Sequence, residues 1–65
     1  MRSENEVIQA VCEQVVHGIK NCGWDDSDID AFSDCVDLAM DMVMTDEEAD
    51  AYPDVEYMVK TSIVL

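Results

Sequence analysis

Apolar residues form a double column along the first third of the chain. Val7, Ile8, Val11, Cys12, Val15, Val16 and Ile19 follow at alternating steps of one and three, the spacing of one face of an α-helix. Ser3-Glu4-Asn5-Glu6 stands in front of them as a capping box: the Ser3 hydroxyl can accept from the Glu6 N–H while the Glu6 carboxylate reaches back. Lys20 suits the negative end of the helix and Gly23 offers a left-handed stop. The pattern predicts a helix over residues 4–21.

A second start signal follows in Trp24-Asp25-Asp26-Ser27. With Asp25 as N-cap, Trp24 would staple onto Ile29; with Ser27 as N-cap, Asp30 would occupy the third helical position. Ile29, Phe32, Val36, Met40 and Val43 then recur at steps of three and four, flanked by Cys35, Ala39 and Met44, which predicts a helix over 28–44 with these residues on one face. Thr45-Asp46-Glu47-Glu48 is another capping box. Pro53 limits the segment it opens to one or two turns, or itself begins a new helix. From residue 55 onward the pattern fits both periods, since Val55, Met58, Val59 and Ile63 suit a helix while Val55, Tyr57, Val59, Thr61 and Ile63 alternate like a strand. Helix is favoured, because a single strand would have no partner within a chain that offers no other.

These elements predict an all-α fold, a small three- to four-helix single domain spanning residues 1–65. At this length a chain buries only about 60% of the surface it exposes unfolded, so the domain is expected to be marginally stable. Hydrophobic residues make up 49% of the chain, enough for a core and too many for intrinsic disorder.

Charge changes the picture most. Sixteen acidic residues face three basic ones, Arg2, Lys20 and Lys60, for a formal net charge of −13. Such a surface repels nucleic acid and anionic membranes and attracts basic partners through a salt-dependent field. Between Asp25 and Glu56 there are 13 acidic residues and no Lys or Arg. Asp30, Asp34, Asp37 and Asp41 are spaced by four, three and four, which places them in a row about 16 Å long on one helix face. Phosphates along a nucleic-acid strand recur at a comparable interval of a few ångströms. Asp46, Asp50 and Asp54 repeat the spacing beyond Thr45. The row has a cost: like charges at i,i+4 destabilise a helix by about 0.2–0.5 kcal/mol each, and Asp is a poorer helix former than Glu. A helix selected only for solubility would sooner alternate Glu with Lys. Short carboxylates held near the backbone suit a surface that imitates a row of phosphates. The blander reading is a solvated face that keeps the protein soluble.

Other candidate chemistry is weaker. Asp26 to Asp37 carries oxygen ligands at several positions of a calcium loop, yet Ala31 stands where Gly is required and Asp37 where a bidentate Glu is. His17, the sole histidine, makes no metal spacing with Cys12 or Cys22 and is expected to be a partly buried structural residue. No metal and no cofactor is predicted. No nucleophile–base pair is visible, and so short a chain has little room for a water-excluded pocket, so no enzymatic activity is expected. Cys12, Cys22 and Cys35, without CxxC spacing, read as free and mostly buried thiols. With no signal-peptide run at the N-terminus and no membrane-spanning stretch, they predict a reducing, cytoplasmic setting. Met40, Met44, Met58, Phe32, Tyr52 and Tyr57 are expected chiefly in the core, and Leu38 and Met42 lie off the main apolar face as a second patch suited to dimerisation.

In size and charge, without any shared motif, the chain resembles the small acidic inhibitors that phages and other mobile elements direct at host DNA- or RNA-binding proteins. That resemblance implies a basic protein partner, with no direct contact to nucleic acid. The residues expected to dock on it are Asp30, Asp34, Asp37 and Asp41 at the centre, extended by Asp26, Asp46, Glu47, Glu48 and Asp50. The alternative is a helical adaptor or homodimer that binds through apolar contacts, its acidity serving solubility.

Overall fold

The computed structural model describes residues 1–64, with side chains described as far as Ile63. Four helices make up its described part: α1 (Glu4–Asn21), α2 (Ile29–Val43), α3 (Asp46–Ala51) and α4 (Val55–Val64). α1 packs against both α2 and α4, and α2 packs against α4. The short α3 carries the chain between the last two, within a body of 32 × 20 × 15 Å.

α1 starts and ends where its pattern requires. Ser3 Oγ accepts from the Glu6 N–H at 3.3 Å and Glu6 Oε1 accepts from the Ser3 N–H at 3.1 Å, closing the capping box. At the far end Gly23 takes the left-handed conformation (φ 73°), open to glycine because it has no Cβ. The chain thereby folds back, and the Trp24 N–H donates to the Gly18 carbonyl at 3.1 Å. Trp24 then lies against α1 so closely that a Cβ on Gly18 would sit inside the indole. A mid-helix glycine lowers helix stability, and this close approach is its physical reason.

The start of α2 departs from both sequence-based expectations. Neither Asp25 nor Ser27 is the N-cap. Asp28 is, its Oδ1 accepting from the Ala31 N–H at 2.8 Å, while Asp25 Oδ1 accepts from the Ser27 N–H at 2.9 Å to shape the preceding turn. Ile29, the first residue of the helix, lies on the same side as Val36 but at its open end and is left 75% exposed, and Trp24 packs onto Gly18 instead of onto Ile29. Phe32, Cys35, Val36 and Ala39 form the buried face, with Met40 and Val43 packed beside it. The run from Ile29 to Asp37 is continuous helix, so it cannot wrap around an ion as a calcium loop does.

Thr45 and Glu48 close the second expected capping box, at 3.2 and 3.1 Å. α3 ends before Pro53, which lies in the turn leading to α4, and the segment after it is helical as favoured above. The core that results is small and uniform in type. Among the described residues, the larger side chains that are fully buried are valines: Val7, Val11 and Val15 from α1, Val36 from α2, Val55 and Val59 from α4.

Three expectations about side chains are corrected. His17 is exposed, its ring nitrogen 3.2 Å from the Asn21 amide, because its position on α1 falls outside the arc that meets α2 and α4. Cys22 is exposed and Cys12 half-buried, leaving Cys35 as the one buried thiol of the three. Tyr57 and Met58 face outward on α4, 68% and 40% exposed, while Phe32, Met40, Met44 and Tyr52 do join the core.

Candidate protein-binding face

The outer face of α2 is built by the same rotation that sets its core. At 100° per residue, Asp30, Asp34, Asp37 and Asp41 fall within an arc of about 60°, on the far side of the helix from Val36 and Ala39. All four are exposed, and Val36 and Ala39 are fully buried. Packing of the apolar stripe therefore fixes the direction in which the carboxylates point. Asp26 is exposed in the turn before α2, and Asp46, Glu47 and Asp50 are exposed on α3.

Glu48 does not belong to this face. Its side chain is 4% exposed and forms a two-pronged ion pair with Arg2, whose Nε and Nη2 lie 2.9 and 2.8 Å from the two carboxylate oxygens. The Arg2 bonds, with the Thr45 N–H behind them, hold the Glu48 carboxyl down to about 2. Arg2 Nη2 also donates to the Val43 carbonyl at 2.8 Å, and the Tyr52 hydroxyl donates to the Arg2 carbonyl at 2.7 Å. The N-terminal strand of chain is thus a strap across the end of α2, α3 and the turn after it. Nor do Asp46, Asp50 and Asp54 continue the α2 row: Met44 is extended (ψ 142°), α3 is a separate element, and Asp54 lies beyond it in the turn.

The two margins of the row differ. On the α4 side, Asp37 hydrogen-bonds to Glu56, and Glu56 pairs with Lys60 at 3.0 Å. Sharing a hydrogen bond with a second carboxylate pushes the Asp37 carboxyl up, while the bonds from Asp37 and Lys60 pull Glu56 down. The four aspartates are therefore not equivalent: Asp37 takes up a proton before an ordinary aspartate would. On the opposite margin Ala31, Leu38 and Met42 run alongside the row, Leu38 46% and Met42 60% exposed. There a groove of ≈ 290 Å³ opens between α2 and the turn after α1, lined by Trp24, Asp25, Ala31, Asp34, Cys35 and Leu38. Cys35 donates through Sγ to the Asp25 carbonyl at 3.1 Å, and burial pushes its thiol up.

Among the described residues no cluster of three or more His, Cys, Asp or Glu side chains is arranged to hold a metal ion, and no helix is long and apolar enough to cross a membrane. Sequence reasoning missed the groove and the strap. Gly18, an unexplained glycine inside a strong helical pattern, was the signal that something packs closely there; the strap, a contact between residues 2 and 48, left no local signal. No protein-family model, no curated protein and no solved structure matches the chain.

Proposed function

We propose that this protein is an acidic, protein-binding inhibitor that docks the aspartate face of α2 onto a basic, nucleic-acid-binding surface of a target protein and blocks it. The observation that carries this reading is the row Asp30, Asp34, Asp37 and Asp41, exposed opposite the buried stripe, in a segment without a single Lys or Arg from Asp25 to Glu56. The field of a −13 chain steers a cationic partner toward it. A few Arg pairs desolvated on contact would then set the residence time. Asp26, Asp46, Glu47 and Asp50 extend the field, while Glu48 serves the fold.

Capture of partners from cell lysate at about 50 mM and about 500 mM salt tests the reading, since exposed charge pairs weaken as the Debye length shrinks. The expected result is a nucleic-acid-binding protein held at low salt, released at high salt and competed off by DNA or RNA. A partner held equally at both salts would point to the second reading, an adaptor or homodimer using apolar contacts. The exposure of Leu38 and Met42 beside the row is the observation that favours it.

A further inference from the structure

The groove beside the aspartate row combines three features that single out one kind of occupant. It has an aromatic lining held in place at its back: the Trp24 indole is seated on Gly18, and the Trp24 backbone N–H donates to the Gly18 carbonyl. Its floor is apolar, formed by Ala31, Cys35 and Leu38, with the Cys35 thiol already spent on the Asp25 carbonyl. Two carboxylates line it as well, Asp25, which accepts from the Ser27 N–H, and Asp34, which belongs to the row itself. An apolar side chain would leave these carboxylates unpaired. An ammonium would satisfy them but is compact and strongly hydrated, a poor match for an aromatic wall. A guanidinium is planar and weakly hydrated, stacks on aromatic faces and offers donors in a fork that fits carboxylates.

We infer that this groove receives an arginine side chain of the basic partner, its guanidinium stacked on Trp24 between the carboxylates of Asp25 and Asp34 and its stem lying along Ala31 and Leu38. The inference rests on the docking reading above and adds to it the place where contact is tightest. Aromatic–arginine anchors set in desolvated pockets are where binding energy concentrates, and the surrounding row would supply attraction at longer range.

Trp24 is the only tryptophan, so its emission reports on the groove directly. The full chain is titrated with three Gly-Ser peptides identical except for several positions occupied by arginine, by lysine or by citrulline, with calorimetry alongside. The arginine peptide is expected to bind and shift Trp24 emission, the lysine peptide to bind about five- to tenfold more weakly with little shift, and the citrulline peptide not to bind. L38A, at an exposed position, should weaken the arginine peptide several-fold and leave the lysine peptide unchanged. Equal affinity for arginine and lysine, indifferent to L38A but lost in a D30N/D41N variant, would overturn the groove while leaving the aspartate face intact. Citrulline binding as well as arginine, or L38A dissolving a dimer seen by sedimentation, would overturn it in favour of an apolar occupant or a second copy. If no peptide binds, the arginine site is refuted, and the salt-dependent capture decides the wider reading separately.

Discussion

The guanidinium of Arg2 and the carboxylate of Glu48 stand 46 positions apart in the chain and meet in a two-pronged ion pair almost closed to solvent on the Glu48 side. The same carboxylate completes the N-terminal cap of α3. One side chain therefore fastens the beginning of the chain to its middle and sets the start of a helix.

Removal of either partner should be felt throughout the fold. Glu48→Gln or Arg2→Ala is expected to lower Tm at neutral pH by about 5 °C, the scale on which a small domain responds to losing a two-pronged pair whose Arg2 side remains open to solvent. Glu48 binds its proton less readily folded than unfolded. Its contribution is therefore complete above its ordinary 4.5 and is lost as pH falls from there toward about 2. Tm measured against pH should lose part of its acid limb in Glu48→Gln; superimposable curves for wild type and variant would show that the pair contributes nothing.

Asp37 should behave in the opposite sense. Its carboxyl is pushed up by Glu56, so the folded state holds a proton that the unfolded state has released, and stability falls as pH rises from 3.8 through that raised range. Asp37→Asn keeps a hydrogen bond to Glu56 without the second charge. It should raise Tm at neutral pH by roughly 2–5 °C, with the gain vanishing in acid. A gain that is the same at every pH would rule out the carboxylate pair as its source.

At Gly18 two known effects compete. Alanine is the better helix former by about 1 kcal/mol, whereas forcing atoms into an occupied space costs about 1–3 kcal/mol. Since the new Cβ would sit inside the Trp24 indole, overpacking should win, with Gly18→Ala destabilising and Trp24 emission moving to the red as the ring is displaced. In a Trp24→Ala background the same change should become neutral or stabilising, and a thermal-melt double-mutant cycle would show this as strong coupling. Additive effects would mean that the two residues do not touch.

Neutralising the row separates fold from binding. Asp30→Asn, Asp34→Asn and Asp37→Asn together remove like-charge repulsion worth about 0.2–0.5 kcal/mol per pair, so the isolated protein should melt higher. The same variant should lose the salt-sensitive partner. Retained binding at low salt would exclude the row as the contact surface.

The sequence was informative where structure is set locally. Capping boxes at Ser3 and Thr45, the helical columns of α1 and α2 and the stop at Gly23 all depend on residues within a turn of one another, and each stands as its pattern predicts. The start of α2 was misjudged because Asp25 and Ser27 both look like caps, whereas Asp28, one residue further on, is the residue that caps it. Of the candidate face, the direction of the four aspartates followed from periodicity, since it is opposite the apolar stripe. The withdrawal of Glu48 and the pairing of Asp37 with Glu56 did not follow, because both depend on elements distant in the chain.

The valine core has a further consequence, which lies in entropy. Valine is stiff about its one rotatable bond, and a stiff side chain gives up little freedom on becoming fixed. A domain of this size buries little area, and filling its interior with Val7, Val11, Val15, Val36, Val55 and Val59 keeps the ordering cost of that area low. Leu38, Met42 and Met58, whose side chains have more rotatable bonds, stand exposed outside that valine centre. Fixing those outer side chains would cost entropy that folding has not already spent, and that cost falls due only when something is laid against them.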